Sequence, residues 1–334
     1  MLYRNVVFSN APLLKGFCYK NIFQLVPVSL NGKAPMSRYA THIPLFLEYE
    51  AEDKKEDSAI LSYLKEKGMN EDLLEKGRSV PSQERVRREI LTLLTCLTNF
   101  RFFSYYYSGC WAVQTPSINN SDLKDKELLQ EEKEVSSWCI PIYTYPELRN
   151  DLQISAFTPC TEYYSCAEEA RTYFTVNPTI ENNLEVKFPA DMEFCMDRYF
   201  SLEEELRIRT KHCMGLLADG IALFDTKRSV SLLAIISSIE GMAKIDNNMY
   251  GENKSLGTKK RFLRYLKRYV AGRSEDKYKT YYNKRCSITH EGDLFLGDID
   301  IFADPQQQKE DWCLRLEIQQ VARLALYNWL RRKM

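Results

Sequence analysis

Hydrophobic and polar positions change their spacing along the chain near residue 197. Before it, short runs of β-branched and aromatic residues stand between Asn, Gly and Pro, a pattern typical of strands. Such runs include "VVFSN", "FQLVPVSL", "HIPLFLEYE", "WCIPIYTY", "RTYFTVN" and "LEVKFP". A helical stretch, "SQERVRREILTLLTCLTNF", lies among them. We therefore expect an α+β domain over residues 1–196.

After residue 197 the strand patterns stop, and apolar residues recur at intervals of three and four, which predicts helices. Ser201 is the expected N-cap of the first helix, "SLEEELRIRTKHCMGLLADGIALFDT". The second, "SVSLLAIISSIEGMAKI", is apolar nearly all round and should be the central buried helix. Three more follow: "TKKRFLRYLKRYV", "SEDKYKTYYNKRCSITHEG" and "KEDWCLRLEIQQVARLALYNWLRRKM". Residues 197–334 are thus predicted to be an all-α helical bundle.

Composition describes an ordinary globular protein with room for two domains. Of 334 residues, 44% are apolar and 28% charged, and the net charge is zero. Any attraction to nucleic acid must therefore come from a local patch. No stretch has the roughly 18 apolar residues of a membrane helix, and the first residues lack a signal-peptide core, so we expect no membrane partner and a cytoplasmic location.

The ten cysteines form no C-x-x-C pair and no regular framework. Reduced, mostly buried thiols are the simplest explanation. A zinc site of Cys195, His212 and Cys213 is the alternative, although adjacent His and Cys are poorly spaced as ligands. The segment "GENKSLGTKK" lacks the spacing and the preceding strand of a phosphate loop. We expect no metal and no cofactor.

Positive charge is concentrated in one segment. Residues 257–285 hold eleven Lys or Arg and two acids. Such a run usually marks a solvated helix face, but it also suits a track for phosphate groups. The candidate RNA-binding residues are Lys260, Arg261, Arg264, Lys267, Arg268 and Lys284. The interleaved Tyr278, Tyr281 and Tyr282 are expected in the core rather than stacked on bases.

Arg285 and His290 end this segment, and the chain has only three histidines. A histidine in the last turn of a helix is held more readily in its charged form, which suits a proton donor. On an ideal helix the two residues lie about 7.5 Å apart along the axis and about 140° apart around it. Either the last turn unwinds before Gly292, or a second copy of the helix completes the site. The alternative is that His290 caps carbonyls and Arg285 forms an ordinary ion pair.

These residues resemble a known family. "SLLAIISSIEGMAK", with its embedded Glu240, and "YYNKRCSITHEGDLF", with Arg, four residues and then His-x-Gly, are similar to the hallmark helices of HEPN domains, most of all the ApeA-like branch. The long final helix also fits that pattern. The resemblance covers about residues 197–334.

The resemblance implies a metal-independent endoribonuclease, often a toxin or an antiphage-defence effector, that acts as a homodimer with the Arg285–His290 helices facing. It implies that His290 serves as general base and acid, that Arg285 holds the scissile phosphate, and that Glu240 orients Arg285. The N-terminal half would bind an unknown trigger.

One departure from the family keeps an alternative open. The residue after the arginine is usually polar in active members, and here it is Cys286. The alternative function is a catalytically inactive HEPN module for dimerisation or RNA binding, fused to a sensing domain.

Overall fold

The computed structural model describes residues 1–28, 43–51, 62–63, 65–68, 71–104, 110–114, 135–137, 140–149, 152–164, 168–175, 185–251, 255–300, 302 and 304–332. Of residues 71–82, 110–114, 135–137, 140–149, 152 and 175 it describes the backbone only. The chain divides into two compact units. The first contains Met1–Leu91, Phe102–Ser165 and Glu181–Val186, and the second contains Thr92–Arg101, Cys166–Ile180 and Lys187–Met334.

The first unit is built on antiparallel sheets. Its strands are β1 Leu2–Ser9, β2 Phe17–Tyr19, β3 Phe23–Pro27, β4 Ile43–Glu50, β5 Phe102–Phe103, β6 Cys110–Gln114, β7 Val135–Ser137, β8 Ile140–Arg149 and β9 Leu152–Ile154. The larger sheet has the order β2-β3-β4-β1-β5, and β9 also pairs with β1. β1 and β4 pair along their whole length, from Leu2 opposite Glu50 to Ser9 opposite Ile43. A second sheet has the order β6-β8-β7.

A buried carboxylate ties this larger sheet together. Glu48 is fully buried and accepts hydrogen bonds from Gln24 Nε2 at 2.7 Å, the Thr158 backbone N–H at 2.8 Å and Arg4 Nε at 2.8 Å. Burial acts to raise the pKa of Glu48, but the hydrogen bonds from Thr158, Gln24 and Arg4 outweigh it, so the pKa lies below its ordinary value. Because Arg4 lies in β1, Gln24 in β3 and Glu48 in β4, these hydrogen bonds link three strands and stabilise the sheet.

The helices of the described residues are α1 Glu71–Leu97, α2 Ala170–Thr175, α3 Met192–Phe200, α4 Glu204–Ala222, α5 Arg228–Tyr250, α6 Thr258–Tyr269, α7 Glu275–Cys286, α8 Leu296–Ile299 and α9 Pro305–Arg331. A π-helical turn, Ser287–Glu291, directly extends α7. The prediction of a sheet-containing N-terminal region followed by a helical C-terminal region is confirmed. The predicted boundary between residues 196 and 197 lies inside α3.

The central buried helix is confirmed as α5, which packs against α4, α6, α7 and α9. Ile235 and Ile236 are fully buried. α4 approaches it closely at Gly220, where a Cβ would lie 2.5 Å from Ile235 Cγ1. Ser231 Oγ donates to the Gly220 carbonyl at 2.6 Å in the same place. Only glycine allows this close helix crossing.

Two predicted strands are wrong. "RTYFTVN" lies in α2 as far as residue 175, and Phe174 packs edge-on against Tyr327 of α9, with ring centroids 5.4 Å apart. The described part of "LEVKFP" has no strand, only an isolated bridge between Pro189 and Glu168. Tyr173 and Phe174 of the first run are buried in the helical unit, and burial there outweighs their β propensity.

The predicted cap of α4 is also wrong. Ser201 ends α3, and its hydroxyl donates to the Arg198 carbonyl at 2.9 Å. α4 begins after Glu203, whose side chain makes no capping hydrogen bond. Glu204 and Glu205 do occupy the first turn, where the helix dipole favours negative charge.

None of the described helices combines the length and apolar character needed to cross a bilayer.

Candidate functional site

The candidate site centres on the end of α7, where the helix widens. Ser274 caps its start by accepting from the Lys277 N–H, and after Cys286 the chain continues as the π-turn Ser287–Glu291. The Gly292 N–H donates to the Ser287 carbonyl, and Gly292 ends the turn at φ 72°, which favours glycine. Single π-turns are rare in proteins, and those that occur often lie at functional sites.

The π-turn changes the relation between Arg285 and His290. Hydrogen bonds from residue i to i+5 bring residues five apart closer to one side than α-helical geometry allows. The separation of about 140° expected for a regular helix is therefore reduced. The last turn widens rather than unwinds, and it carries His290 on its exposed side.

Glu240, in the middle of α5, lies against Arg285. Glu240 Oε2 is 3.6 Å from Arg285 Nη2, and the two side chains are 14% and 25% exposed. The other carboxylate oxygen, Oε1, is buried and has no hydrogen-bond partner within the described residues. Burial raises the pKa of Glu240, while the charges of Arg285 and Arg261 act to lower it, and the net shift is upward. The site therefore holds a largely buried carboxylate beside the Arg285 guanidinium.

His290 is exposed, and across the described parts of the chain its imidazole takes part in no hydrogen bond or ion pair. The structure thus brings Glu240 and Arg285 together but does not pair His290 with either. The adjacent Thr289 hydroxyl donates to the Arg285 carbonyl at 2.8 Å, which fixes the backbone between the two. One chain presents a histidine that is positioned by its backbone and open to a ligand.

Asp293 closes the turn that carries His290. Its Oδ2 accepts from Ser287 Oγ at 2.6 Å and from Lys284 Nζ at 2.9 Å, and its backbone N–H donates to the Ser287 carbonyl at 3.4 Å. The hydrogen bond from the Ser287 hydroxyl and the Lys284 ammonium hold the pKa of Asp293 below its usual value. Sequence reasoning missed Asp293, although an Asp directly after the terminating Gly292 is a usable signal for a turn.

We expect Asp293→Ala to loosen the π-turn without unfolding the protein. Exposed ion pairs contribute about 0–1 kcal/mol, so overall stability should change by no more than that. Amide hydrogen exchange over residues 286–292 should become faster. The matched control is Glu291→Ala, which removes an exposed acid of the same turn. Equal exchange in both variants would contradict the role of Asp293.

An open basic cavity lies beside α6 in the same unit. It has a volume of about 540 Å³ and is lined by Lys260, Leu263, Arg264, Lys267, Arg268 and Glu275. Four of the six predicted RNA-binding residues are among them. Positions 260, 264 and 267 follow the helical period, so they share one face of α6.

The other two predicted RNA-binding residues, Arg261 and Lys284, contact other groups of the protein. Arg261 Nη2 donates to Thr258 Oγ1 at 3.2 Å, and its Nε is buried without a partner among the described residues. Lys284 binds Asp293 and lies 5.0 Å from the ring centre of Phe295. Arg268 also lines the cavity, but its Nη1 lies 2.8 Å from Asp246 Oδ2. The part of these residues in RNA binding stays a prediction.

The tyrosines near the site belong mainly to the core. Tyr278 and Tyr281 are 1% and 0% exposed, which confirms the prediction for both. Tyr282 is half-buried, and its ring packs edge-on against Phe262 at 5.4 Å. Neither Tyr278 nor Tyr281 is available to stack on a base.

The zinc alternative gains no support from the described residues. They contain no cluster of three or more His, Cys, Asp or Glu that could hold a metal. Cys195 is buried and its thiol contacts the Tyr327 carbonyl, whereas Cys213 is buried beside Gly241. Burial raises the pKa of both thiols, to about 12 for Cys195 and about 11 for Cys213. His42 lies outside the described residues.

The raised pKa of Glu240 predicts a pH dependence of stability. A carboxyl whose pKa is raised on folding binds its proton more tightly in the folded state. Its contribution is fully present below the ordinary value of about 4.5 and is lost as pH rises through the folded pKa. The stability of wild type relative to Glu240→Gln should therefore fall across that window. Denaturant titrations between pH 4 and 8 measure the free energy of unfolding of both proteins. If the difference between the two free energies does not change with pH, the raised pKa of Glu240 is contradicted.

Comparison of the chain with protein-family models, with curated proteins and with solved structures finds no match in any of the three. The function is therefore argued from the residues of the site. These are a half-buried Glu240–Arg285 pair, an exposed histidine on a closed π-turn, and a basic cavity on α6.

Proposed function

We propose that the helical region is a HEPN-like domain of the ApeA-like kind, and that the chain is a metal-independent endoribonuclease of toxin or antiphage-defence type. One observation carries the proposal. A guanidinium that could bind phosphate, Arg285, is held by Glu240 at the base of a π-turn that presents an exposed histidine. The chemistry of these groups suits phosphate transfer without a metal.

The proposed reaction needs a base, an acid and a phosphate-binding cation. The ribose 2′-hydroxyl gives its proton to a neutral imidazole and attacks the adjacent phosphorus. The bond from phosphorus to the 5′-oxygen breaks, and that oxygen takes a proton from an imidazolium. The products are a 2′,3′-cyclic phosphate and a free 5′-hydroxyl. His290 is proposed for proton transfer and Arg285 for neutralising the phosphate, with Glu240 fixing the Arg285 side chain.

A homodimer is part of the proposal. Base and acid act on opposite sides of the phosphorus, and one exposed imidazole without a fixed partner serves only one of them at a time. A second copy, docked through α7 and its π-turn, would supply the matching histidine. Two copies also place two Arg285 side chains near one strand of RNA.

We further propose that the sheet-containing first unit binds a trigger and that the protein acts in the cytoplasm. Seven described cysteines are free thiols, which suits a reducing compartment: Cys18, Cys96, Cys160, Cys195, Cys213, Cys286 and Cys313.

The direct test is incubation of the full-length protein with a labelled single-stranded RNA in the presence of EDTA. We expect cleavage and products that end in 2′,3′-cyclic phosphate, detected by mass spectrometry. A strict requirement for added magnesium, or products with 3′-hydroxyl ends, would overturn the mechanism.

A second candidate is a catalytically inactive HEPN module for dimerisation or RNA binding. Two observations favour it: Cys286 stands where active members of the resembled family carry a polar residue, and Arg285 is already neutralised by Glu240. The same assay separates the two. Binding of RNA with no cleavage by the wild-type protein would support the inactive module.

A further inference from the structure

Ion pairs and side-chain hydrogen bonds divide the eleven cations of residues 257–285 into two groups. Eight have protein contacts: Lys259 with Asn283, Arg261 with Thr258, Arg268 with Asp246, Arg273 and Lys277 with Glu317, Lys279 with Glu275 and Asp276, Lys284 with Asp293, and Arg285 with Glu240. Within the described residues, Lys260, Arg264 and Lys267 have neither an ion pair nor a side-chain hydrogen bond. These three line the same cavity.

Lys260, Arg264 and Lys267 bring to one cavity three positive charges that no described protein group neutralises. Like charges on one helix face repel each other by a few tenths of a kcal/mol per pair. A bound anion removes that repulsion and gains charge-assisted hydrogen bonds. The arrangement therefore points to a ligand rather than to a stabilising role within the fold.

We propose that the α6 cavity is a binding site for nucleotide phosphates, separate from the Arg285–His290 site. Lys260 and Lys267 lie about 10 Å apart along the helix, which favours a ligand with several linked phosphates over a single ion. Arg264 lies between them and can bind a phosphate through two parallel N–H groups. Arg268, paired with Asp246, lines the same cavity.

Two further lining residues suit a nucleoside. Leu263 gives the cavity an apolar surface on which a base or ribose can lie. Glu275, at the start of α7, adds a carboxylate that repels phosphate but accepts hydrogen bonds from the amino group of a base. A purely inorganic polyanion would gain nothing from either residue.

α6 also contacts α7, the helix that carries Arg285: Lys259 Nζ donates to Asn283 Oδ1 at 3.1 Å, and the Phe262 ring lies 5.4 Å from the Tyr282 ring. The same helix thus reaches both sites, and an RNA strand could contact the cavity while its scissile phosphate lies at Arg285. The inference rests on the proposed function only for RNA as the expected source of the nucleotide. A free nucleotide presents the same chemistry.

The test measures binding without cleavage. In a His290→Ala background, Lys260, Arg264 and Lys267 are replaced together by Gln in the full-length protein. Affinity for a fluorescent 12-nucleotide oligo(A), whose bases carry the amino group that Glu275 would accept from, and for ATP is measured by fluorescence anisotropy and calorimetry over a range of salt. We expect the RNA affinity to fall about tenfold or more, and the slope of log K against log salt to fall by about 2, since each single-strand phosphate contact contributes about 0.7.

The matched control removes the same charge elsewhere. Lys187, Lys227 and Lys309 are exposed cations of the same unit and are replaced together by Gln. Loss of RNA binding in the cavity variant alone supports the site with RNA as ligand. Loss of ATP binding alone supports it with a free nucleotide. Equal loss in both triple variants, or no loss in either, overturns the inference. The wild-type cleavage assay decides the proposed function separately.

Discussion

His290→Ala should lower the rate of RNA cleavage by roughly 10²–10⁴-fold, the usual contribution of a positioned general acid or base. The imidazole is exposed and bound to no other described residue, so its removal leaves the packing intact. Surface substitutions of this kind change stability by no more than about 0.5 kcal/mol. The measurement is the initial rate of cleavage of a labelled single-stranded RNA in EDTA.

His212→Ala is the matched control, because His212 is an exposed histidine on α4 outside the proposed site. It should cut RNA at the wild-type rate. Binding of RNA by His290→Ala should also stay close to wild type, because Arg285 and the α6 cavity are unchanged. Cleavage by His290→Ala at the wild-type rate would contradict the proposed role of His290. An inactive wild type would favour the binding-module alternative.

The π-turn could not be predicted from the spacing of Arg285 and His290. Regular α-helical geometry places them about 140° apart, and nothing in the helical period signals a widened turn. The turn depends on hydrogen bonds that close it from outside, from Ser287 and Lys284 to Asp293. Its end at Gly292 was visible in the sequence, because glycine is the usual residue at a positive φ.

The basic segment was recognised from composition, but composition treats its eleven cations alike. Several of their partners are distant in sequence: Asp246 precedes Arg268 by 22 residues, and Glu317 follows Arg273 by 44. Pairing is therefore set by the packing of helices. Only the structure separates the cations of the α6 cavity from those that hold helices together.

The sequence predicted the helical core more accurately than it predicted which residues belong to the helical unit. α5 is apolar nearly all round, which predicts a central helix, and most of its apolar residues are buried, although Val230 is 50% exposed. The sequence did not show that residues 92–101 belong to the helical unit, because their place there depends on Arg323. This fully buried arginine donates through Nε to the Thr95 carbonyl at 3.2 Å and through Nη2 to the Phe100 carbonyl at 3.3 Å. Burial lowers its pKa to about 10.

Asp246→Ala should be the most destabilising of the substitutions considered. Asp246 is 3% exposed and accepts from Arg268 Nη1 at 2.8 Å and from the Tyr269 hydroxyl at 2.7 Å. Arg332 Nη1 lies 3.8 Å from the same carboxylate and donates to the Tyr269 hydroxyl at 3.1 Å. The carboxylate joins α5, α6 and the residue after α9. Its loss leaves Arg268 and the buried Tyr269 hydroxyl without their acceptor and removes the ion pair with Arg332.

Removing one partner of a buried ion pair costs about 3–5 kcal/mol, and the partial exposure of Arg268 and Arg332 lowers the expected loss to about 2–3 kcal/mol. Urea unfolding followed by the helical circular dichroism signal measures it. Asp246→Asn, which keeps the acceptor oxygen but not the charge, should lose less. Arg268→Met combined with Asp246→Ala should lose less than the sum of the two single losses, because each removes the same pair. A change below about 0.5 kcal/mol in Asp246→Ala would contradict the cluster, and it would return Arg268 to the cations free to bind RNA.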